Sequence, residues 1–551
     1  MKTIRHLIFA LMVLPASWLI CNCKKGGDGA LPPPSSGNSC LYNGVDTCNQ
    51  AAAKLKLTVD LNGVQQTIHS FGASDGWTCK FIGKWADVTK KNKIADLLFS
   101  MDTLPDGTPK GIGLSLWRFN IGAGSYEQGD TSNIATDWRR EECFLNADGS
   151  YNWNKQAGQQ WFLQAARQRG VKYSLGFALS PPVFMTKNGK AYNGSNTASL
   201  NIADGRLGDF ADFLAQTAQH WQFDYISPVN EPQWTWGSAT GAAQEGTQAL
   251  NSEVADLVRS LSGRLTAHGA TSKIIVGEAG QWDFLYGRNT DGRGNQISDF
   301  FSSSSPDYIG NVANTVHGIS AHSYYTTCPD DNMISIRQQV AAKIKQTDAT
   351  LEAWQTEFGI LGNICNVYNG SPRSTSIDYG LYVAKTIHHD LTIANVVTFQ
   401  WWLAVSPYNY SDALVYINDP SGNINVDNCK QDGIVLDSKQ LWSLGNYSRF
   451  VRPGMKRVTA TIQGLENPVT AAASVMVSAY KDDAGKKLVI VIVNVAKQQN
   501  TLQLSGVSGL TGNRLDSYLT DGQNSLKRSF TTADNIVVPA SSIVTLTGTY
   551  Q

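Results

Sequence analysis

From Ser70 to about residue 445 the sequence repeats one pattern, a short apolar run followed by a stretch with helical spacing. The strand-like runs are "HSFGAS", "LWRFNIG", "VKYSLGFALS", "FDYISPVNE", "SKIIVGEA", "GISAHSYY", "LEAWQTEFG" and "VVTFQWWLA", eight in all. Between most of them the apolar spacing turns helical. The clearest case places Val254, Leu257, Val258, Leu261 and Leu265 on one helix face, ending near Gly269. Another, "NKQAGQQWFLQAARQRG", carries Asn154 as a candidate cap and Gly170 as a stop. Strand–helix alternation of this length predicts an α/β chain whose parallel strands close into a (β/α)8 TIM barrel. An open doubly wound sheet is the alternative, but the chain has no Gly-rich phosphate loop to support it.

The flanks differ. After "GNYSRFVRPG", runs such as "VMVSAYKDDAGKKLVIVIVNVA" and "IVVPASSIVTLTG" alternate with period two and lack helical spacing. They predict a β-sandwich over 446–551, beside a barrel over 55–445. Near the start, "LKLTVDLNGVQQTIHSFG" reads as strands around an "LNG" turn, and an N-terminal strand is expected to join the sandwich, bringing the chain ends together. Residues 1–23 combine a basic start, an apolar run from Leu7 to Ile20 and cysteines, as in an export signal. Cys21 or Cys23, with Cys23 favoured, resembles the lipidated cysteine of a bacterial lipoprotein, followed by a tether over 24–54. The expectation is a cell-surface or periplasmic lipoprotein, with secretion as the alternative. Export permits disulfides, and Cys40 with Cys48 and Cys328 with Cys365 are candidate pairs.

The 45 basic and 45 acidic residues balance, which leaves no electrostatic footprint for nucleic acid. Membrane contact is expected only through the N-terminal anchor. Fifteen Trp and twenty Tyr suit a protein that offers flat aromatic faces to neutral ligands, although core packing accounts for most of them. No Cys/His cluster has zinc-ligand spacing, so neither metal nor organic cofactor is expected.

In such a barrel, chemistry gathers at the C-terminal strand ends. Glu231, Glu278 and Glu357 end the fourth, fifth and seventh strand-like runs. Strands four and seven face each other across the mouth, so Glu231 and Glu357 can flank a sugar as proton donor and nucleophile. Asn230 can bond a sugar 2-hydroxyl, and Arg118 can hold a carboxylate ionised. Tyr324 can orient Glu357, with His322 as a polar wall. Trp401 or its neighbour Trp402 offers a platform under the sugar, and Trp234, Trp236 and Trp282 are further stacking candidates. Glu278 has no preceding Asn and reads as a structural or subsite residue. Arg139 and Arg140 read as solvated or paired with Glu141 and Glu142, rather than as readers of an acidic sugar.

"SPVNEPQ", "WQTEFG", "FGASDGW", "LWRFNIG", "SPPVFM" and "GNYSRFVRPG" resemble segments of glycoside hydrolase family 30, in clan A, over about residues 55 to 551. The resemblance implies a (β/α)8 barrel with a side β-domain and a retaining two-step mechanism. It makes Glu231 the acid/base and Glu357 the nucleophile, supported by Asn230 and Arg118. "FGASDGWTCKFIGKW" and "GAGSYEQGDTSNIATDWRREECF" look most like the endo-β-1,6-galactanase branch, so the expected partner is a polysaccharide. Glucuronoxylan, β-1,6-glucan and glucosylceramide are the substrates of other branches. A non-catalytic glycan-binding lipoprotein is the different-class alternative. "GASDG" also matches the G-x-S-x-G serine elbow, but no clean helical pattern follows it. In the glycosidase reading Asp75 and Trp77 instead line the far end of the cleft.

Overall fold

The computed structural model describes residues 54–195, 198–287 and 291–551, together with two short strands, Leu41–Tyr42 and Val45–Asp46, which pair antiparallel. The expected export segment, lipidated cysteine and Cys40–Cys48 pair lie outside the described residues. No helix among the described residues is long and apolar enough to cross a membrane.

Eight strands build the barrel: β1 (Ser70–Ser74), β2 (Leu116–Ile121), β3 (Tyr173–Ala178), β4 (Tyr225–Ser227), β5 (Lys273–Ile274), β6 (Gly318–His322), β7 (Glu352–Glu357) and β8 (Val396–Ser406). β8 pairs in parallel with both β7 and β1, and the order continues β1–β2–β3–β4–β5. Between β5 and β6 the ladder thins to isolated parallel bridges, Ile274 with Thr315 and Ala279 with Ala321, which close the ring. β2 and β8 are buried at every position, as a strand covered on both faces requires.

One helix from each crossover packs outside: α1 (Val88–Phe99), α2 (Ala157–Gln168), α3 (Leu207–Trp221), α4 (Asn251–Ala267), α5 (Gln296–Phe301), α6 (Asp330–Thr347), α7 (Ile377–Thr392) and α8 (Lys439–Ser448). α4 buries the five residues its spacing predicts, Val254, Leu257, Val258, Leu261 and Leu265. α2 departs from expectation at its start. Asn154 does not cap it; the helix begins after Gln156, whose backbone is left-handed.

Nine further strands form the side domain, in the order 527–532, 514–520, 542–549, 487–494, 475–482, 456–462, 55–67, 500–505 and 536–538. The N-terminal strand Leu55–Thr67 therefore lies inside the sheet, antiparallel to Lys456–Ile462 and parallel to Asn500–Ser505. "LNG" is not a hairpin turn here. The partner register jumps from Val64 to Asp60 across Val458 and Thr459, so residues 61–63 bulge out of one long strand. Leu57 and Val59 from this strand share a core with Ile490, Ile492 and Leu546. Hydrogen bonds from Arg457 to Asn395 (2.7 Å) and from Thr545 to Asn446 (3.0 Å) join sandwich to barrel.

Candidate active site

The strand ends converge on a cleft of about 370 Å³. Its floor is a web of charged groups. Arg118, on β2, donates from Nη1 to Glu357 Oε2 (2.5 Å) and from Nη2 to Asn230 Oδ1 (2.8 Å) and Glu278 Oε2 (3.1 Å). Its guanidinium lies 3.7 Å from the Phe177 ring centre, which fixes its plane. His322, at the end of β6, bridges Glu231 Oε1 through Nδ1 (2.8 Å) and Glu278 Oε2 through Nε2 (2.9 Å). Tyr324 donates its hydroxyl to Glu357 Oε1 (3.0 Å), and Thr356 donates to Glu278 Oε2 (3.0 Å).

Two of these carboxylates sit on unusual backbone. Glu231 (φ 47°) and Glu278 (φ 42°) are both left-handed, and the Glu231 N–H donates to the Glu278 carbonyl at 2.9 Å. That conformation costs a non-Gly residue about 1–3 kcal/mol and persists only where surroundings enforce it. Glu231 lines the cleft from this backbone, whereas Glu278 stays buried beneath it.

The electrostatics separate the carboxyls. Burial raises Glu231 above the usual carboxylate range, although the His322 hydrogen bond opposes it. Burial also works against Glu278, but Arg118, His322 and Thr356 together outweigh it and hold that group low. His322 is pushed up to about 10, because Glu357, Glu231 and Glu278 overcome its desolvation. Arg118 and His322 then supply two positive charges. The cluster is neutral when Glu278 and Glu357 are ionised and Glu231 keeps its proton.

Glu231, His322 and Glu357 are also the group whose ligand atoms, all within 4.8 Å, lie close enough to hold a metal ion. The chemistry of the set does not fit one. A cationic imidazole with both nitrogens committed to carboxylates has no lone pair to give.

A family model for O-glycosyl hydrolase family 30 matches residues 54–416. The chain belongs to O-glycosyl hydrolase family 30. An endo-β-1,6-galactanase of Hypocrea rufa is 28% identical over 255 residues, covering 42% of this chain and 51% of that protein. Glucuronoxylanase XynC of Bacillus subtilis is 29% identical over 189 residues, covering 33% of this chain and 35% of that one. The chain thus spans about half or less of the curated relatives it matches. A conserved exported protein from Bacteroides fragilis superposes with TM-score 0.84 at 34% identity, covering 89% of this chain and 100% of that chain. The catalytic domain of GH30 xylanase C from Talaromyces cellulolyticus shares the fold with TM-score 0.64 at 22% identity, covering 90% of this chain and 100% of that chain.

Within this family 30 barrel, the sequence candidates Asn230, Glu231, Tyr324, Glu357, Trp77 and Trp234 line the cleft, and Arg118, bonded to Glu357 and Asn230, is buried beside it. Three expectations need correction. Trp401 is fully buried, donates Nε1 to the Asp412 carbonyl (2.7 Å) and packs 5.6 Å from Phe358. Neighbouring strand residues face opposite ways, and the pairing of β8 with β1 shifts register between Trp401 and Leu403, so Trp402 lines the cleft instead. Asp75 does not line the cleft. It is buried, accepting the Asn120 N–H (2.9 Å) while its own N–H donates to the Arg118 carbonyl (3.0 Å), which ties β1 to β2. His322 is no wall; it lies under the floor as the bridge between carboxylates.

Trp282 is also buried and donates to Ser323 (2.9 Å), whereas Trp236 reaches the cleft. Ser74 of "GASDG" is buried, and its hydroxyl accepts the Gly76 N–H (3.0 Å). Sequence reasoning missed Tyr325, Tyr408, Tyr410 and Asp412 on the rim, and set Arg139 aside although it lines the cleft. The aromatic cluster "SPYNYSD" following strand eight was the available signal.

Proposed function

We propose that the chain is a retaining endo-β-glycosidase acting on a plant polysaccharide, and that its substrate is the β-1,6-galactan of arabinogalactan side chains. One observation carries the reaction type: an oxygen of Glu231 and one of Glu357 lie within 4.8 Å of each other in a single cleft. A retaining pair needs its carboxyls about 5–5.5 Å apart, whereas an inverting pair leaves roughly 6.5–9.5 Å for a water. The similarity to the endo-β-1,6-galactanase of Hypocrea rufa supports the substrate.

In the first step a Glu357 oxygen bonds to the anomeric carbon as the glycosidic bond breaks, and the Glu231 proton moves to the leaving oxygen. Forming the ester removes the Glu357 charge. The pair of cations then faces one carboxylate fewer, which favours ionised Glu231. In the second step that carboxylate takes a proton from water as the water oxygen attacks the anomeric carbon and frees Glu357. Arg118, Tyr324 and His322 hold both carboxylates in place throughout. Asn230, fixed by Arg118, lies in the cleft where a 2-hydroxyl would sit.

The similarity to an exported protein and the bond between Cys328 and Cys365 support action outside the cytoplasm, on the cell surface or in the periplasm. Reducing-sugar release from de-arabinosylated galactan, glucuronoxylan and β-1,6-glucan tests the assignment. Release from the galactan with none from the other two is the expected result. Release only from glucuronoxylan would transfer the chain to the specificity of the xylanase relative.

A further inference from the structure

Arg139 belongs to the long segment after β2 and lines the cleft together with Trp77, Tyr408 and Asp412. Its guanidinium lies 3.8 Å from the Trp77 ring centre and 5.8 Å from that of Tyr408. Arg140, next in sequence, pairs with Asp130 at 2.8 Å, but Arg139 has no ion-pair partner among the described residues. Asp412, at the end of the loop after β8, lines the same part of the cleft, and its Oδ1 is buried without a hydrogen-bond partner. Burial pushes this carboxyl up to about 6 against the pull of Arg139.

Trp77 cannot be the sugar platform on the face that Arg139 covers. Its ring instead holds the guanidinium flat, while Trp402 meets Trp77 edge-on at 5.1 Å and lines the cleft beside it. The reaction geometry says which sugar meets this group. Glu231 must face the leaving oxygen, so the departing chain lies toward the Glu231 loop. The retained sugar lies over Glu357, toward the loops after β8 and β2.

We propose that Asp412 and Arg139 are the specificity-determining pair of the glycone side, reading the hydroxyls of a neutral hexose and rejecting a uronic acid. Asp412 accepts from one hydroxyl and Arg139 donates to a neighbouring hydroxyl oxygen. An Arg alone would welcome a carboxylate; Asp412 beside it repels one, so selectivity comes from the repulsive member of the pair. Trp77 is a positioning residue that acts through Arg139. The inference rests on the retaining-glycosidase reading above.

The test uses nitrophenyl β-glycosides of galactosyl, glucosyl and xylosyl disaccharides, and the best neutral one with its terminal residue oxidised to the uronic acid. Asp412→Asn should lower kcat/KM on the neutral probe at least tenfold and narrow the neutral-to-acidic ratio at least tenfold. Arg139→Ala should lose at least tenfold on the neutral probe. Trp77→Leu should match it through KM, with Trp77→Phe recovering most of the loss. Variants with wild-type Tm that stay within threefold on the neutral probe, at an unchanged ratio, overturn the proposal. Wild type preferring a glucosyl or xylosyl probe would sink the galactan assignment alone, because the pair is then judged on that probe. Calorimetric binding of the same disaccharides to Glu357→Gln, alone and combined with each variant, reads the pair without turnover.

Discussion

The floor and the rim of the cleft are built differently. On the floor, Arg118 within β2, Glu278 after β5 and His322 at the end of β6 are buried and tied to one another or to neighbouring carboxylates by hydrogen bonds. On the rim, Trp234, Trp236, Tyr325, Tyr408 and Tyr410 come from loops, and Tyr325 is 74% exposed. The difference separates two tasks. Proton transfer and covalent attack need groups held within fractions of an ångström, which a charged lattice on rigid strands supplies. Substrate choice tolerates looser loops, which can vary without disturbing the lattice.

Replacing Glu231 or Glu357, the proposed acid/base and nucleophile, should have the largest effect. Glu231→Gln should lower turnover roughly 10²–10⁴-fold, and Glu357→Gln at least as far, each with unchanged Tm. Wild-type turnover by either variant in a steady-state assay would remove the floor's chemical role. Next, Arg118→Met should destabilise the fold by about 3–5 kcal/mol, since it strands buried carboxylates, as read by denaturant unfolding. A loss of activity without loss of stability would mean that the lattice is not structural.

A pH effect sharpens the same contrast. His322 has its folded-state pKa raised from 6.5 to about 10. Its contribution to stability is therefore complete below about pH 6.5 and fades as pH climbs toward 10. The Tm gap between wild type and His322→Gln should be widest near pH 6 and shrink steadily on the alkaline side; a constant gap would contradict the cationic bridge. The smallest effect belongs to the rim. Trp234→Ala should raise KM roughly 2- to 12-fold, a loss of roughly 0.5–1.5 kcal/mol in stacking, with kcat nearly unchanged. A collapse of kcat would erase the distinction between the two regions.

The same division governs what was legible in the sequence. Glu231, Glu357, Asn230 and Arg118 were readable because each ends or lies in an apolar run whose periodicity announces a strand. Helix α4 was readable for the same reason. Trp401 and Trp402 were not separable, since strand alternation sets the choice only once register is known, and the register shifts between Trp401 and Leu403. Asp75 closes an apolar run in the sequence much as Glu231 and Glu357 do, and only its bond to the Asn120 N–H shows that it serves the backbone. Arg139 and Asp412 lie 273 residues apart by their numbering, on loops without periodicity, so no local pattern brings them together.

The strand Leu55–Thr67 has a consequence for how the molecule is made. Its two partners, Lys456–Ile462 and Asn500–Ser505, leave the ribosome some four hundred residues later. At about 5–20 residues per second, it waits on the order of 20–80 s with its ladder groups unmatched. Through that interval an alternating apolar ribbon is open to capture by a chaperone or by another nascent copy. Shortening the N-terminal side of the gene past residue 55 would not simply trim a tail; it would take a middle plank from a nine-strand sheet.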